Sequence, residues 1–139
     1  MSSERESEDE NRLKLVISPK SERPIYEQVY NQIATGILSG ELAPDSTLPS
    51  IRGIAAELGI SVITVKSAYD ALEKDGYIYT RAGKGCFVSP ETPSSLMDRR
   101  LVEGEKALSA AVDYCRALGL GANEIARLTD KLLNNRRAP

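Results

Sequence analysis

Apolar residues recur along this chain at spacings that change from one stretch to the next. Leu13, Leu15 and Ile17 fall on alternate positions, which predicts a short strand over residues 13–18. From Pro24 the period lengthens. Ile25, Val29, Ile33 and Ile37 recur every four residues, a single buried stripe of a helix that stops at Gly40. Pro24 suits the first turn of that helix, where its missing N–H costs nothing. Pro44 and Pro49 bracket a loop, and Ser50 is placed to cap a second helix with Ile51, Ile54, Ala55 and Leu58 inward. Gly59 ends it. Ser61 caps a third helix whose inner face is Val65, Ala68, Tyr69 and Leu72, and Asp75-Gly76 closes it.

Two short runs of strand character follow, Tyr77–Thr80 and Cys86–Ser89, joined by Arg81-Ala-Gly-Lys-Gly85. A five-residue connection with two glycines predicts a hairpin. Two short helices around a tight turn, preceded by a longer helix and followed by a hairpin, form a winged helix-turn-helix. The opening strand is expected to pair beside the wing. Ser89-Pro-Glu-Thr-Pro-Ser94 has the composition of a linker. Beyond it Leu101, Leu108, Ala111, Val112, Cys115 and Leu118 keep near-heptad spacing, Gly119–Gly121 interrupts, and Ile125, Leu128 and Leu132 mark a last helix. Two amphipathic helices of about 50 residues cannot bury both stripes unaided. The expected fold is mostly α with a small β wing. The expected division is a disordered acidic tail over 1–12, a winged domain over 13–89, a linker over 90–94 and a two-helix dimerisation tail over 95–139.

Composition narrows the chemistry. The chain has 139 residues and no histidine, which excludes His-based nucleophile pairs, His-ligated metals and a His general base. Cys86 and Cys115 cannot complete a closed zinc site. No catalytic constellation, metal site or cofactor is expected. No apolar run approaches the roughly 18 residues of a membrane span, and the scarce cysteines fit a cytoplasmic protein. The net charge of −2 traces to residues 1–12, which hold five acids against two arginines. That stretch is a solubilising tail or an acidic arm that competes with DNA for a basic surface.

A helical wheel places Ile63, Ser67 and Asp70 on the outer side of the third helix, with Thr64 and Lys66 flanking and Val62 on the rim. Ile63 is either a lone exposed apolar residue or a contact for a thymine methyl group. Arg52 can fork onto a guanine edge or clamp a phosphate. Lys66 fits a phosphate contact. Ser50 and Ser61 are explained by capping alone, whereas Thr64 is the better hydroxyl for DNA. Arg81 and Lys84 at the hairpin tip add cations for phosphate or minor-groove contact.

The stretches Pro24-Ile-Tyr-Glu-Gln-Val-Tyr30 and Gly40-Glu-Leu-Ala-Pro-Asp-Ser-Thr-Leu-Pro-Ser-Ile-Arg52 resemble the GntR family of bacterial transcription regulators. So do Thr64–Gly76 and the wing Gly83-Lys-Gly-Cys-Phe-Val88, while the short tail looks like that of the YtrA-type subfamily. The resemblance implies a dimer that binds a DNA operator; twofold pairing of the tails sets two recognition helices side by side and predicts an inverted-repeat operator, and the expected role is that of a repressor. The resemblance also implies DNA contact by Arg52, by Ser61, Val62, Ile63, Thr64 and Lys66 at the start of the third helix, and by the wing at Gly83 and Gly85. Asp45 stands where the family usually has glycine and Cys86 where threonine is common; Val62 and Ile63 fill positions that are often polar or basic. With Ser50, Ser67, Arg81 and Lys84, these residues form the expected DNA surface. Leu101, Leu108, Val112, Cys115, Leu128 and Leu132 form the expected dimer seam. The sequence names no small-molecule effector. The competing expectation is a winged helix that binds protein, which would keep the same core without needing Arg52 or a basic wing tip.

Overall fold

The computed structural model describes residues 13–135. The expected acidic tail, residues 1–12, lies outside them. Three helices, α1 (Ile25–Leu38), α2 (Ile51–Leu58) and α3 (Val62–Lys74), precede a hairpin of β1 (Ile78–Arg81) and β2 (Gly85–Val88). Helices α4 (Pro93–Ala117) and α5 (Ala122–Asn135) complete the chain. Two compact units divide between Leu96 and Met97.

The first unit has a continuous apolar core. Val29, Ile33 and Ile37 of α1, Ile54 and Ala55 of α2 and Val65, Ala68, Tyr69 and Leu72 of α3 are buried together with Ile78 and Val88 of the hairpin. The four-residue period of α1 and the i, i+3, i+4 spacing of α2 and α3 therefore describe real inward faces. Side-chain caps fix the helix starts. Ser50 Oγ accepts from the Gly53 amide at 2.9 Å, and Ser61 Oγ accepts from the Thr64 amide at 3.1 Å. Gly59, with φ of 67°, turns the chain left-handed between α2 and α3.

The expected opening strand is absent. No strand among the described residues pairs with residues 13–18; two side chains of α1 take up their backbone groups instead. Gln32 accepts from the Val16 amide at 2.9 Å and donates to the Val16 carbonyl at 2.7 Å. Gln28 does the same at Ser18, accepting at 2.8 Å and donating at 3.0 Å. The i, i+4 spacing of the two glutamines matches the two-residue repeat of the extended segment. Leu13 is buried below, with Leu15 and Ile17 half-buried against the core.

The wing takes its third partner from elsewhere. Strands β1 and β2 are antiparallel, with Ile78 opposite Val88 and Arg81 opposite Gly85. Residues 45–48 lie along the other edge of β2. The Asp45 amide donates to the Val88 carbonyl at 2.8 Å, Val88 to Ser46 at 2.9 Å and Leu48 to Cys86 at 2.9 Å. A single bridge joins Thr47 to Phe87. Pro44 and Pro49 confine this edge to a few residues. Asp45 holds φ at 62°, the left-handed conformation a glycine adopts freely, and its Oδ1 accepts from the Tyr79 hydroxyl at 2.9 Å.

Helix α4 starts inside the stretch read as linker. Pro93 occupies its first position, and the Thr92 hydroxyl accepts from the Ser95 amide at 3.1 Å. A proline and a capping threonine together start a helix as readily as they interrupt one. Within the second unit neither α4 nor α5 contains a buried residue.

Candidate nucleic-acid interface

The core-facing side of α3 is sealed, so its other side is what the unit presents. Ile63 is 77% exposed and Val62 45%, while Lys66, Ser67 and Asp70 are also exposed. Ser61 and Thr64 are joined to each other. Their hydroxyl oxygens lie 2.6 Å apart, so the half-buried Thr64 completes the cap with Ser61. Lys66 Nζ is 2.7 Å from Asp70 Oδ2, a pair the outward positions of both residues allow.

Arg52 is the second residue of α2 and is exposed; among the described residues no ion pair holds its guanidinium. What fixes its place is α3. The Tyr69 hydroxyl donates to the Pro49 carbonyl at 2.8 Å from a ring that is 2% exposed. Burial pushes the Tyr69 phenol well above its ordinary pKa, so it stays a donor. The loop that delivers Ser50 and Arg52 is thus bonded to the helix that carries Lys66. Sequence periodicity put Tyr69 in the core and missed this bond, because the ring's burial hides its polar end.

At the wing, the Lys84 amide donates to the Arg81 carbonyl at 2.9 Å and closes the turn. Gly83 and Gly85 have φ of 76° and 106°, with open space where a Cβ would stand. The turn therefore needs glycine for its backbone, and the space leaves room for a close approach. Arg81 and Lys84 are both exposed beside it. Behind them Tyr79 and Phe87 stack across the strands with centroids 5.4 Å apart, which stiffens the hairpin below its charged tip.

In the second unit, an apolar groove of about 770 Å3 lies between α4 and α5. Its lining includes Leu108, Val112, Cys115, Leu128 and Leu132, five of the six residues expected in the seam. Leu101 is not among them; it is 63% exposed further back on α4. Among the described residues no group of His, Cys, Asp and Glu is arranged to hold a metal ion, and no helix is long and apolar enough to cross a membrane.

Residues 25–88, from the start of α1 to the end of β2, match the bacterial regulatory proteins of the gntR family. The HTH-type transcriptional regulator Rv1152 of Mycobacterium tuberculosis is 32% identical over 117 residues, covering 81% of this chain and 88% of its own length. The chain belongs to the GntR family. Within it, the HTH-type transcriptional repressor YtrA of Bacillus subtilis is 35% identical over 85 residues, 61% of this chain and 65% of that protein. The GntR fold is shared with solved structures. A GntR family transcriptional regulator from Listeria monocytogenes superposes with a TM-score of 0.71 at 25% identity, covering 81% of this chain and 97% of that one. A protein described as a transcriptional antiterminator from the same species gives 0.68 at 32% identity, over 88% and 90%. Other GntR relatives are longer: the chain spans 18% of the probable rhizopine catabolism regulatory protein MocR of Rhizobium meliloti, at 36% identity over 63% of this chain. This is a YtrA-like, DNA-binding transcription regulator with a winged helix fold.

Proposed function

We propose that this GntR regulator is a repressor that binds an inverted-repeat operator as a homodimer. The observation that carries the reading is the sidedness of α3: its inner-face residues Val65, Ala68, Tyr69 and Leu72 are buried, and its outer face is exposed. Arg52 supplies the fork for a guanine edge or a phosphate. Val62, Ile63 and Ser67 enter the major groove, Lys66 meets a phosphate, and Ser50, Ser61 and Thr64 hold the helix starts that present them. Arg81, Gly83, Lys84 and Gly85 meet the backbone beside the minor groove.

The dimer reading rests on the uncovered tail. Leu101, Leu108, Leu128 and Leu132 are 43–64% exposed, too much contiguous apolar surface for one chain to leave in water. A second copy offers the same two stripes and buries both by twofold symmetry. Two recognition helices then address sites about 34–36 Å apart, or a multiple of that, on one face of the duplex. The similarity to YtrA of Bacillus subtilis, a transcriptional repressor, supports the sign of regulation.

Electrophoretic mobility shifts across a salt series test the DNA role. Affinity for duplex DNA should fall steeply with salt, because each phosphate contact releases a counterion. Lys84→Ala should flatten the slope by about one unit, with equal losses on operator and random duplexes. A salt-independent interaction with a protein partner, and none with DNA, would overturn the reading.

A further inference from the structure

Helix α3 carries one cation in the middle of its outer face, and a carboxylate already holds it. Lys66 Nζ stands 2.7 Å from Asp70 Oδ2, with the two side chains 61% and 60% exposed. Helix stability does not explain the pair. The base precedes the acid, the weaker of the two i, i+4 orientations, and aspartate is a poor helix former in an interior turn.

We propose that Asp70 is an internal counter-ion for Lys66: its carboxylate occupies the place of a DNA phosphate and must be displaced when DNA binds. The inference rests on the proposed reading that the outer face of α3 meets DNA. The ammonium's pKa is raised, first by the hydrogen bond it donates to Asp70 and then by the Asp70 charge, with Glu73 adding to it. The field that favours the charged amine is thus supplied by the protein before DNA arrives. A phosphate bound at Lys66 replaces one anion by another, so the exchange gains little. Contacts by Arg52 and by the wing are left at full strength. Asp70 therefore lowers the affinity for DNA of every sequence by the same factor and weakens the salt dependence, while the preference for the operator stays as it is.

The test uses the full chain and fluorescence anisotropy on a random-sequence duplex, with Asp70→Asn, Lys66→Ala and the double variant. Asp70→Asn should bind about two- to fivefold more tightly near physiological salt, the range an exposed ion pair supports. Its plot of log affinity against log salt should steepen by up to about 0.9. Lys66→Ala should bind more weakly, and adding Asp70→Asn to it should give no gain. Asp70→Ser repeats the measurement with a different neutral side chain, and thermal melts confirm that each variant is folded. A gain that persists without Lys66 would mean that Asp70 acts on phosphates by itself, and the counter-ion idea would fall. No gain from either neutral variant, while Lys66→Ala still weakens binding, would defeat this inference and leave the phosphate contact standing. No effect of Lys66→Ala on any DNA would remove both.

Discussion

Single residues decide how this surface meets DNA, and two of them carry the sharpest expectations. Arg52 is exposed at the start of α2 and contributes nothing to the core. Arg52→Ala should therefore weaken operator binding by about 1–3 kcal/mol while the circular dichroism spectrum and melting temperature stay unchanged. Equal affinity with an intact fold would remove Arg52 from the interface. Asp45 makes the opposite kind of demand, on backbone alone. Its φ of 62° is tolerated by aspartate and strained for a branched side chain. Asp45→Val should destabilise the winged unit by about 1–3 kcal/mol in urea titrations. Asp45→Gly should stay within about 1 kcal/mol of the parent, trading the exposed Tyr79 bond for relief at φ. Motif likeness marked both positions in the sequence. It could not show that Thr64 spends its hydroxyl on the cap with Ser61, because Thr64 is a capping neighbour and an outward residue at once.

Elements were legible wherever period and cap agreed. Ser50 and Ser61 fix helix starts that the apolar spacing alone leaves loose by a residue or two, and both caps form. The N-terminal segment shows where such reading stops. Alternation in Leu13, Leu15 and Ile17 correctly marks an inward face, but a face does not say which partner satisfies the backbone. Here the partners are side chains of α1, a solution that no strand propensity encodes. Hydrogen exchange distinguishes the two arrangements: the Val16 and Ser18 amides should be protected, and Gln32→Ala should release Val16 first. The same holds for the wing, whose outer edge is filled by residues 45–48. Those residues precede Ser50 by only a short loop, so chain connectivity places them where hydrophobic pattern could not.

On the scale of the whole molecule, the two units stand on different foundations. The winged unit closes its own core, and its fold and family could both be inferred from the sequence. The tail's stripes were equally plain, yet a pattern shows only that a face wants covering. Leu108→Asp places a charge in the proposed seam, and light scattering should find a monomer that has lost most of its operator affinity, since the half-sites are no longer linked. A full-length monomer that still binds a palindrome tightly would refute the architecture. Helices without one buried residue between them have a further thermodynamic consequence. In the proposed dimer their order becomes a matter of mass action. Calorimetry should resolve two transitions, one from the winged unit at a temperature indifferent to protein concentration. The other should climb as concentration rises, because in the proposed dimer association and folding of the tail are the same event.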